Sequence, residues 1–220
     1  YADTVSVTLN AQKVLQGIAT YKNPFVFVAT LTKIVDKNGN TIALPTTPWS
    51  SSKSIATSGT VAFDTITYTQ ADIGKTFTYE VKESIPTSPA GITYDTTIKS
   101  YTVAISYDAA KDDLIATVTP SSKTQSFTNT YKADGQLNLT GTKTLNRPYK
   151  ALAANEFTFK AVEMKDGKAT GKTYTGSMDA SGNITFPTIT YKLDKNANPA
   201  VDDTGEWTYV ITETSDSTKS

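Results

Sequence analysis

The sequence contains no cysteine and no histidine. Thiol nucleophiles, disulfide bonds, Ser-His-Asp triads and the usual zinc sites are therefore excluded, because each of them needs one of these residues. An excess of charge of one sign is lacking too, since 21 Lys and Arg residues balance 21 Asp and Glu residues. We therefore expect no nucleic-acid partner, because no strong electrostatic field draws the chain to a polyanion.

Long apolar runs are also absent. No stretch reaches membrane-spanning length and no secretory leader is recognisable at Tyr1, so we expect no membrane insertion in this segment and a mature or trimmed part of a longer protein. We also expect no cofactor and no metal. The nearest approach to a calcium loop, residues 194–206, has Pro199 where such a loop needs Gly and is predicted to be a solvated turn.

The residues that are present are typical of an all-β protein. Thr and Tyr are frequent, and short alternating segments such as "FTYEV" and "YTVAISY" recur along the chain. Turn sequences such as "KNGN" and "ASGN" separate these segments. The pattern predicts many short strands and little helix.

The two halves of the chain repeat the same series of segments. The first half contains "QKVL", "NPFVFVA", "FDTITY" and "GKTFTYEVKES", and the second contains "TKTL", "NEFTFKA", "FPTITY" and "TGEWTYVITET" in the same order. Ordered self-similarity over this length indicates tandem domains of one fold. We predict domains at residues 1–132 and 137–220, joined by a linker at residues 133–136.

Each half also directs a lysine and a glutamate toward its apolar face. Period-two alternation places Lys13 among the apolar residues of "VSVTLNAQKVL" and Lys143 among the leucines of "LNLTGTKTL". The same alternation places Glu83 in phase with the aromatic residues of "FTYEVKE", and Glu213 with those of "WTYVITE". We therefore expect folding to bury each Lys–Glu pair face to face.

Asn129 adds an amide to the first half, because it lies in phase with Phe127 and Tyr131 in "FTNTY". Three interpretations are open: side chains that reach solvent from strand ends, a buried salt bridge, or a reactive site. In an apolar core, desolvation lowers the pKa of a lysine and raises that of a glutamate, which leaves a neutral amine and a protonated acid. Such an acid would hydrogen-bond the carboxamide oxygen and relay protons to departing ammonia, giving a Lys–Asn isopeptide bond. Recurrence of the Lys–Glu pair favours this third interpretation.

The order of "QKVL", "FTYEVKES", "SYTVAISY" and "FTNTY" resembles the isopeptide-linkage domain of Gram-positive backbone pilins and cell-wall adhesins. This resemblance implies two tandem immunoglobulin-like β-sandwiches of the Cna B type, of which the second lacks its final strands. It covers about residues 4–132 as one complete domain and continues from about residue 136 into the second.

The resemblance also implies roles for individual residues. Lys13 would be the amine, Asn129 the amide and Glu83 the catalytic acid of the first domain. Lys143 and Glu213 would be the amine and acid of the second domain, for which the sequence after Glu213 offers no asparagine-bearing strand.

In function, the resemblance implies a structural shaft or stalk module of a Gram-positive pilus or surface adhesin, outside the cell and anchored to its wall. Its partners would be neighbouring pilin or adhesin subunits and a host surface ligand. Because the cross-link forms once, we expect no enzymatic turnover. The alternative is a β-sandwich that binds a glycan or host matrix, for which Trp49 and Tyr174 are the candidate surface aromatics.

Overall fold

The computed structural model describes residues 4–88, 90–146 and 150–214. Almost all regular structure in these residues is β-strand, which confirms the all-β prediction and is consistent with tandem immunoglobulin-like sandwiches. The one helix in these ranges is the 3-10 turn Gln70–Asp72, and no helix there is long and apolar enough to cross a membrane. The chain divides into two compact units, Tyr1–Lys132 and Ala133–Ser220.

The strands of the first unit are β1 (Thr4–Val7), β2 (Asn10–Gln16), β3 (Thr20–Val35), β4 (Thr41–Ile42), β5 (Ser50–Thr57), β6 (Gly59–Ala62), β7 (Ile66–Thr69), β8 (Thr76–Ser84), β9 (Ile92–Thr93), β10 (Lys99–Asp108), β11 (Asp113–Thr119) and β12 (Thr124–Tyr131). One sheet has the order β11-β10-β8-β3, with β4 and β5 also paired to β3. The second sheet has the order β6-β2-β12-β9, and β1 pairs with β7 separately. Strands β2 and β12 therefore lie side by side although they are the second and the last strand of the unit.

The two sheets of the first unit enclose an apolar core to which each strand contributes alternate residues. Phe27 of β3 and Phe127 of β12 meet across it with ring centroids 5.3 Å apart. The turn after β2 depends on Gly17, whose φ is +93°. A Cβ at this position would lie 2.5 Å from the carbonyl oxygen of Tyr131, so glycine lets the turn approach the end of β12.

The strands of the second unit are β13 (Ala133–Leu137), β14 (Thr140–Thr142), β15 (Phe159–Lys165), β16 (Lys168–Met178), β17 (Asn183–Thr185), β18 (Ile189–Asp194), β19 (Val201–Asp202) and β20 (Trp207–Glu213). Their sheets have the orders β13-β18-β19 and β14-β17-β16-β15-β20. Residues 133–136, predicted to be a linker, instead form most of β13. Asp134, Gly135 and Gln136 have low strand propensity, but their backbone pairs with β18, and this pairing outweighs the local preference.

The strand pairs of the second unit repeat those of the first. The pairs β1–β7, β2–β6 and β3–β8 correspond to β13–β18, β14–β17 and β15–β20. The likeness extends to side chains, because the hydroxyl groups of Tyr68 and Tyr79 hydrogen-bond in the first unit and those of Tyr191 and Tyr209 in the second. The sequence repeat is therefore also a structural repeat.

One face of the second unit is uncovered in the described chain. Val81 of β8 is fully buried, but Ile211, at the same place in β20, is 43% exposed. Among the residues that the structure describes, β14 pairs only with β17, whereas its counterpart β2 lies between β6 and β12. In the described residues, the second unit thus has a strand edge at β14 without the neighbour that β2 has, and an exposed apolar side chain on β20.

Candidate functional site

Lys13 and Glu83 meet in the core of the first unit. Lys13 points inward from β2 and Glu83 from β8, and neither side chain has any exposed surface. The lysine Nζ lies 3.0 Å from Oε1 and 3.1 Å from Oε2 of Glu83. The ring of Phe25 lies beneath the amine, with its centroid 4.0 Å from Nζ. The two ionisable groups are thus enclosed by each other and by aromatic carbon.

Asn129 completes this cluster from β12. The strand runs parallel to β2 with Phe127 opposite Lys13, so Asn129, two residues further, is on the same inward face. Its Nδ2 donates to Oε1 of Glu83 at 2.6 Å, and its Oδ1 accepts from the backbone N–H of Asp95 at 2.8 Å. Because a backbone N–H can only donate, the carboxamide oxygen must be the atom that faces Asp95.

The contact between Glu83 and the amide differs from the sequence-based expectation. The mechanism expected from the sequence has Glu83 bound to the carboxamide oxygen of Asn129, whereas in the structure it binds the nitrogen. The physical reason is that the loop after β9 supplies a main-chain donor to the oxygen. A backbone N–H leaves no signal in side-chain patterning, so the sequence could not have indicated it.

Burial perturbs both ionisable groups of the cluster. Desolvation lowers the pKa of Lys13, although the hydrogen bond to Glu83 opposes this shift. Desolvation likewise raises the pKa of Glu83 against the opposing effect of Lys13. Both shifts favour a neutral amine beside a protonated acid, which is the state in which the lysine is a nucleophile.

The second unit contains the corresponding Lys–Glu pair. Lys143 Nζ lies 2.7 Å from Oε2 of Glu213 and 4.4 Å from the ring centroid of Phe157, much as Lys13 is placed over Phe25. The predicted burial of this pair is wrong, because the side chains of Lys143 and Glu213 are 22% and 35% exposed. No described strand occupies the position that β12 takes in the first unit, so solvent reaches the pair.

A second buried glutamate, Glu163, was missed by the sequence analysis. Its side chain is 2% exposed, and it accepts hydrogen bonds from the hydroxyls of Thr170 (2.8 Å), Tyr174 (2.9 Å) and Tyr209 (3.2 Å). The period-two alternation of the sequence indicates its burial, because Glu163 is in phase with Phe157 and the other buried residues of "FTFKAVE".

The hydrogen bonds to Glu163 determine its ionisation. Burial, the largest single effect, raises the pKa of this carboxyl group, but the hydrogen bonds from its three hydroxyl partners and the charge of Lys172 together outweigh it, and the net shift is downward. The carboxylate is therefore stabilised in its charged form. This arrangement is opposite in sense to that of Glu83, whose pKa is raised.

The two aromatics proposed for glycan binding are not free surface rings. Trp49 is half-buried and packs edge-to-face against Tyr79 with centroids 5.3 Å apart. Tyr174 is also half-buried and is engaged with Glu163. These two rings therefore give no support to the alternative ligand-binding function, which stays a prediction. No group of three or more acidic side chains with metal-binding geometry occurs among the described residues.

Comparison with known proteins identifies a protein family whose model matches this chain. The profile described as "Spy0128-like isopeptide containing domain" (FctA) matches residues 9–132 and 139–220. Among solved structures, the major pilin from Streptococcus pyogenes is 17% identical, with 96% of this chain and 82% of that chain covered and a TM-score of 0.34. A single B repeat unit of the collagen-binding surface protein Cna of Staphylococcus aureus is 18% identical, with coverage of 96% and 87% and a TM-score of 0.17. The comparison with curated proteins gave no match.

Proposed function

The chain belongs to the family of Spy0128-like isopeptide-containing domains, and on this premise we propose that it is a structural module of a Gram-positive surface pilus or adhesin, reinforced by an isopeptide bond between Lys13 and Asn129. One observation carries the proposal. Glu83 contacts both the amine of Lys13 and the amide nitrogen of Asn129, and the side chains of Lys13 and Glu83 have no exposed surface. This is the position that a proton carrier between nucleophile and leaving group must occupy.

All the atoms that form or leave bonds in the reaction belong to these three side chains. The neutral amine of Lys13 attacks Cγ of Asn129, and a tetrahedral intermediate with a negative Oδ1 forms. Glu83, protonated at the start, delivers its proton to Nδ2, which lies 2.6 Å from Oε1, and takes a proton from the attacking nitrogen in return. The Cγ–Nδ2 bond then breaks, and the products are one amide bond and one molecule of ammonia.

The bond would carry mechanical load. Lys13 and Asn129 are on the adjacent strands β2 and β12, so the bond would connect the beginning of the unit directly to its end. A chain without cysteine could in this way gain covalent reinforcement that does not depend on redox conditions. Its partners would be neighbouring subunits of the same fibre, and its location would be the cell surface.

We extend the proposal to the second unit in part. Lys143 and Glu213 repeat the geometry of Lys13 and Glu83, and a cross-link there would need a strand beside β14 that carries an asparagine at the place of Asn129. The described residues contain no such strand. We therefore expect the 220-residue chain to form one cross-link.

The intact mass of the purified chain, measured to one dalton, tests the proposal. One cross-link lowers the mass by about 17 Da, the mass of the ammonia released. Glu83→Ala should restore the full mass because it removes the proton carrier, and Lys13→Ala should do the same. Glu163→Ala is the matched control, since it removes a buried glutamate from the other unit and should leave the loss intact. A wild-type chain with its full calculated mass would refute the bond.

A further inference from the structure

The loop after β9 departs from the sheet at the reaction site. Strand β9 pairs with β12 through Thr93 and Thr130, and the ladder ends there. Asp95, two residues after Thr93, faces Thr128 and Asn129 without continuing the strand. The main-chain hydrogen bonds of the ladder are replaced at this point by contacts that involve side chains.

Asp95 and β12 are connected reciprocally. The backbone N–H of Asp95 donates to the side-chain Oδ1 of Asn129 at 2.8 Å, and the backbone N–H of Thr128 donates to Oδ2 of Asp95 at 3.2 Å. The other carboxylate oxygen, Oδ1, accepts from both the backbone N–H (3.0 Å) and the hydroxyl (2.6 Å) of Thr97. The Asp95 side chain thus fixes the direction of its own N–H.

From this geometry, and relying on the proposed cross-linking function, we propose that the backbone N–H of Asp95 is the oxyanion donor of the reaction and that its side chain, held by Thr97 and Thr128, positions it. When Lys13 attacks Asn129, the electron pair of the carbonyl moves onto Oδ1. The backbone N–H of Asp95 keeps its proton and stabilises the negative charge on Oδ1 through its hydrogen bond. The electron pair then returns to re-form the carbonyl group as ammonia leaves.

The contacts that Glu83 makes within the site support this assignment. Glu83 is occupied with the two nitrogen atoms, which lie 3.0 and 2.6 Å from its Oε1. The oxygen that becomes negative therefore needs a different donor, and the backbone N–H of Asp95 already donates to this oxygen at 2.8 Å before the reaction. A main-chain donor is effective because it does not have to reorient during the reaction.

The test replaces this one N–H by an oxygen atom. Cell-free translation with the α-hydroxy analogue of aspartate at position 95 retains the side chain and converts the amide into an ester that cannot donate. The chain is collected in denaturant and folded by dilution, and the loss of about 17 Da is followed over time by mass spectrometry. We expect the rate to fall by about 100-fold or more, as for other single oxyanion donors.

A matched control separates catalysis from the loss of any hydrogen bond. The backbone N–H of Asn38 also donates to a side-chain oxygen, Oδ1 of Asp36, at 2.8 Å, but in an exposed turn. An ester at position 38 should leave the cross-linking rate unchanged. In the position-95 ester the pH of maximal rate should not move, because the substitution raises the barrier without altering the ionisable groups.

The outcomes distinguish this inference from the function on which it rests. A position-95 ester that folds and cross-links within threefold of the wild-type rate overturns the oxyanion role and leaves the cross-link itself standing. A wild-type chain that never loses ammonia refutes the cross-link, whatever the ester does. If the ester does not fold, Thr97→Val provides the test, since it removes only the hydroxyl bond to Asp95 at an exposed position. It should slow the reaction several-fold, and an unchanged rate would overturn the positioning role.

Discussion

The mechanical consequence of the proposed Lys13–Asn129 bond can be predicted from the register of β2 and β12. These strands are parallel, so a force applied through the two ends of the first unit shears them past each other. With the bond in place, the segment from position 13 to position 129, a sequence separation of 116 residues (129 − 13), is removed from the load path. Without it they can extend, and at about 3.3–3.6 Å per residue they release roughly 400 Å of chain.

Single-molecule force spectroscopy on the full chain measures this length directly. Wild-type molecules should show no extension step of about 400 Å, and Glu83→Ala molecules should show one such step. The control is Glu163→Ala, which should behave like the wild type in the first unit because Glu163 belongs to the second. A step of this length in wild-type molecules would refute the covalent bond, whatever the free energy of unfolding of the protein.

Three further predictions concern the Lys13–Glu83 pair, the buried Glu163 and the turn at Gly182. The cross-linking rate of freshly folded chain should be bell-shaped in pH, because acid converts Lys13 to its ammonium form and alkali removes the proton of Glu83; a rate independent of pH would contradict the shared proton. Glu163→Gln should destabilise the second unit by about 1–3 kcal/mol in denaturant unfolding at pH 7. Because the folded pKa of Glu163 is lowered, this difference should be present above about pH 4.3, the unfolded value, and shrink as the pH falls further; an equal loss at pH 3 would contradict the assignment. Gly182→Ala should cost about 1–3 kcal/mol, since φ is +86° and the new Cβ would lie 2.3 Å from the carbonyl oxygen of Lys143. Gly167→Ala, at φ +76° with no neighbour within 4 Å, should cost less, and equal losses would mean that the clash is relieved.

The sequence was most informative where side chains alternate. Period-two phasing predicted that Lys13, Glu83 and Asn129 point into the core, because burial depends on the parity of a residue within its strand. The same rule, applied to "FTFKAVE", would have predicted the buried Glu163. It was less informative for residues 133–136, where strand formation depends on pairing with β18 and not on local composition.

Asp95 could not be predicted by such patterning, because its contribution is a main-chain group in a loop. Its direction depends on where β9 stops pairing and on hydrogen bonds from Thr97 and Thr128. Local sequence contains an Asp-x-Thr turn signal, but nothing in it indicates that the turn faces Asn129. The position of a main-chain donor relative to a distant strand is a property of the assembled sheet.

The two Lys–Glu pairs show how strand docking can control the reaction. Lys143 and Glu213 have the contacts of Lys13 and Glu83, yet they remain partly exposed where no strand lies beside β14. Desolvation is what shifts such a pair toward a neutral amine and a protonated acid. A docking strand would therefore deliver the asparagine and remove the water in the same step. In the proposed reaction, the amine would thus become nucleophilic only when its asparagine partner is in place, and this coupling would protect the lysine from reaction with other groups before the sandwich is complete.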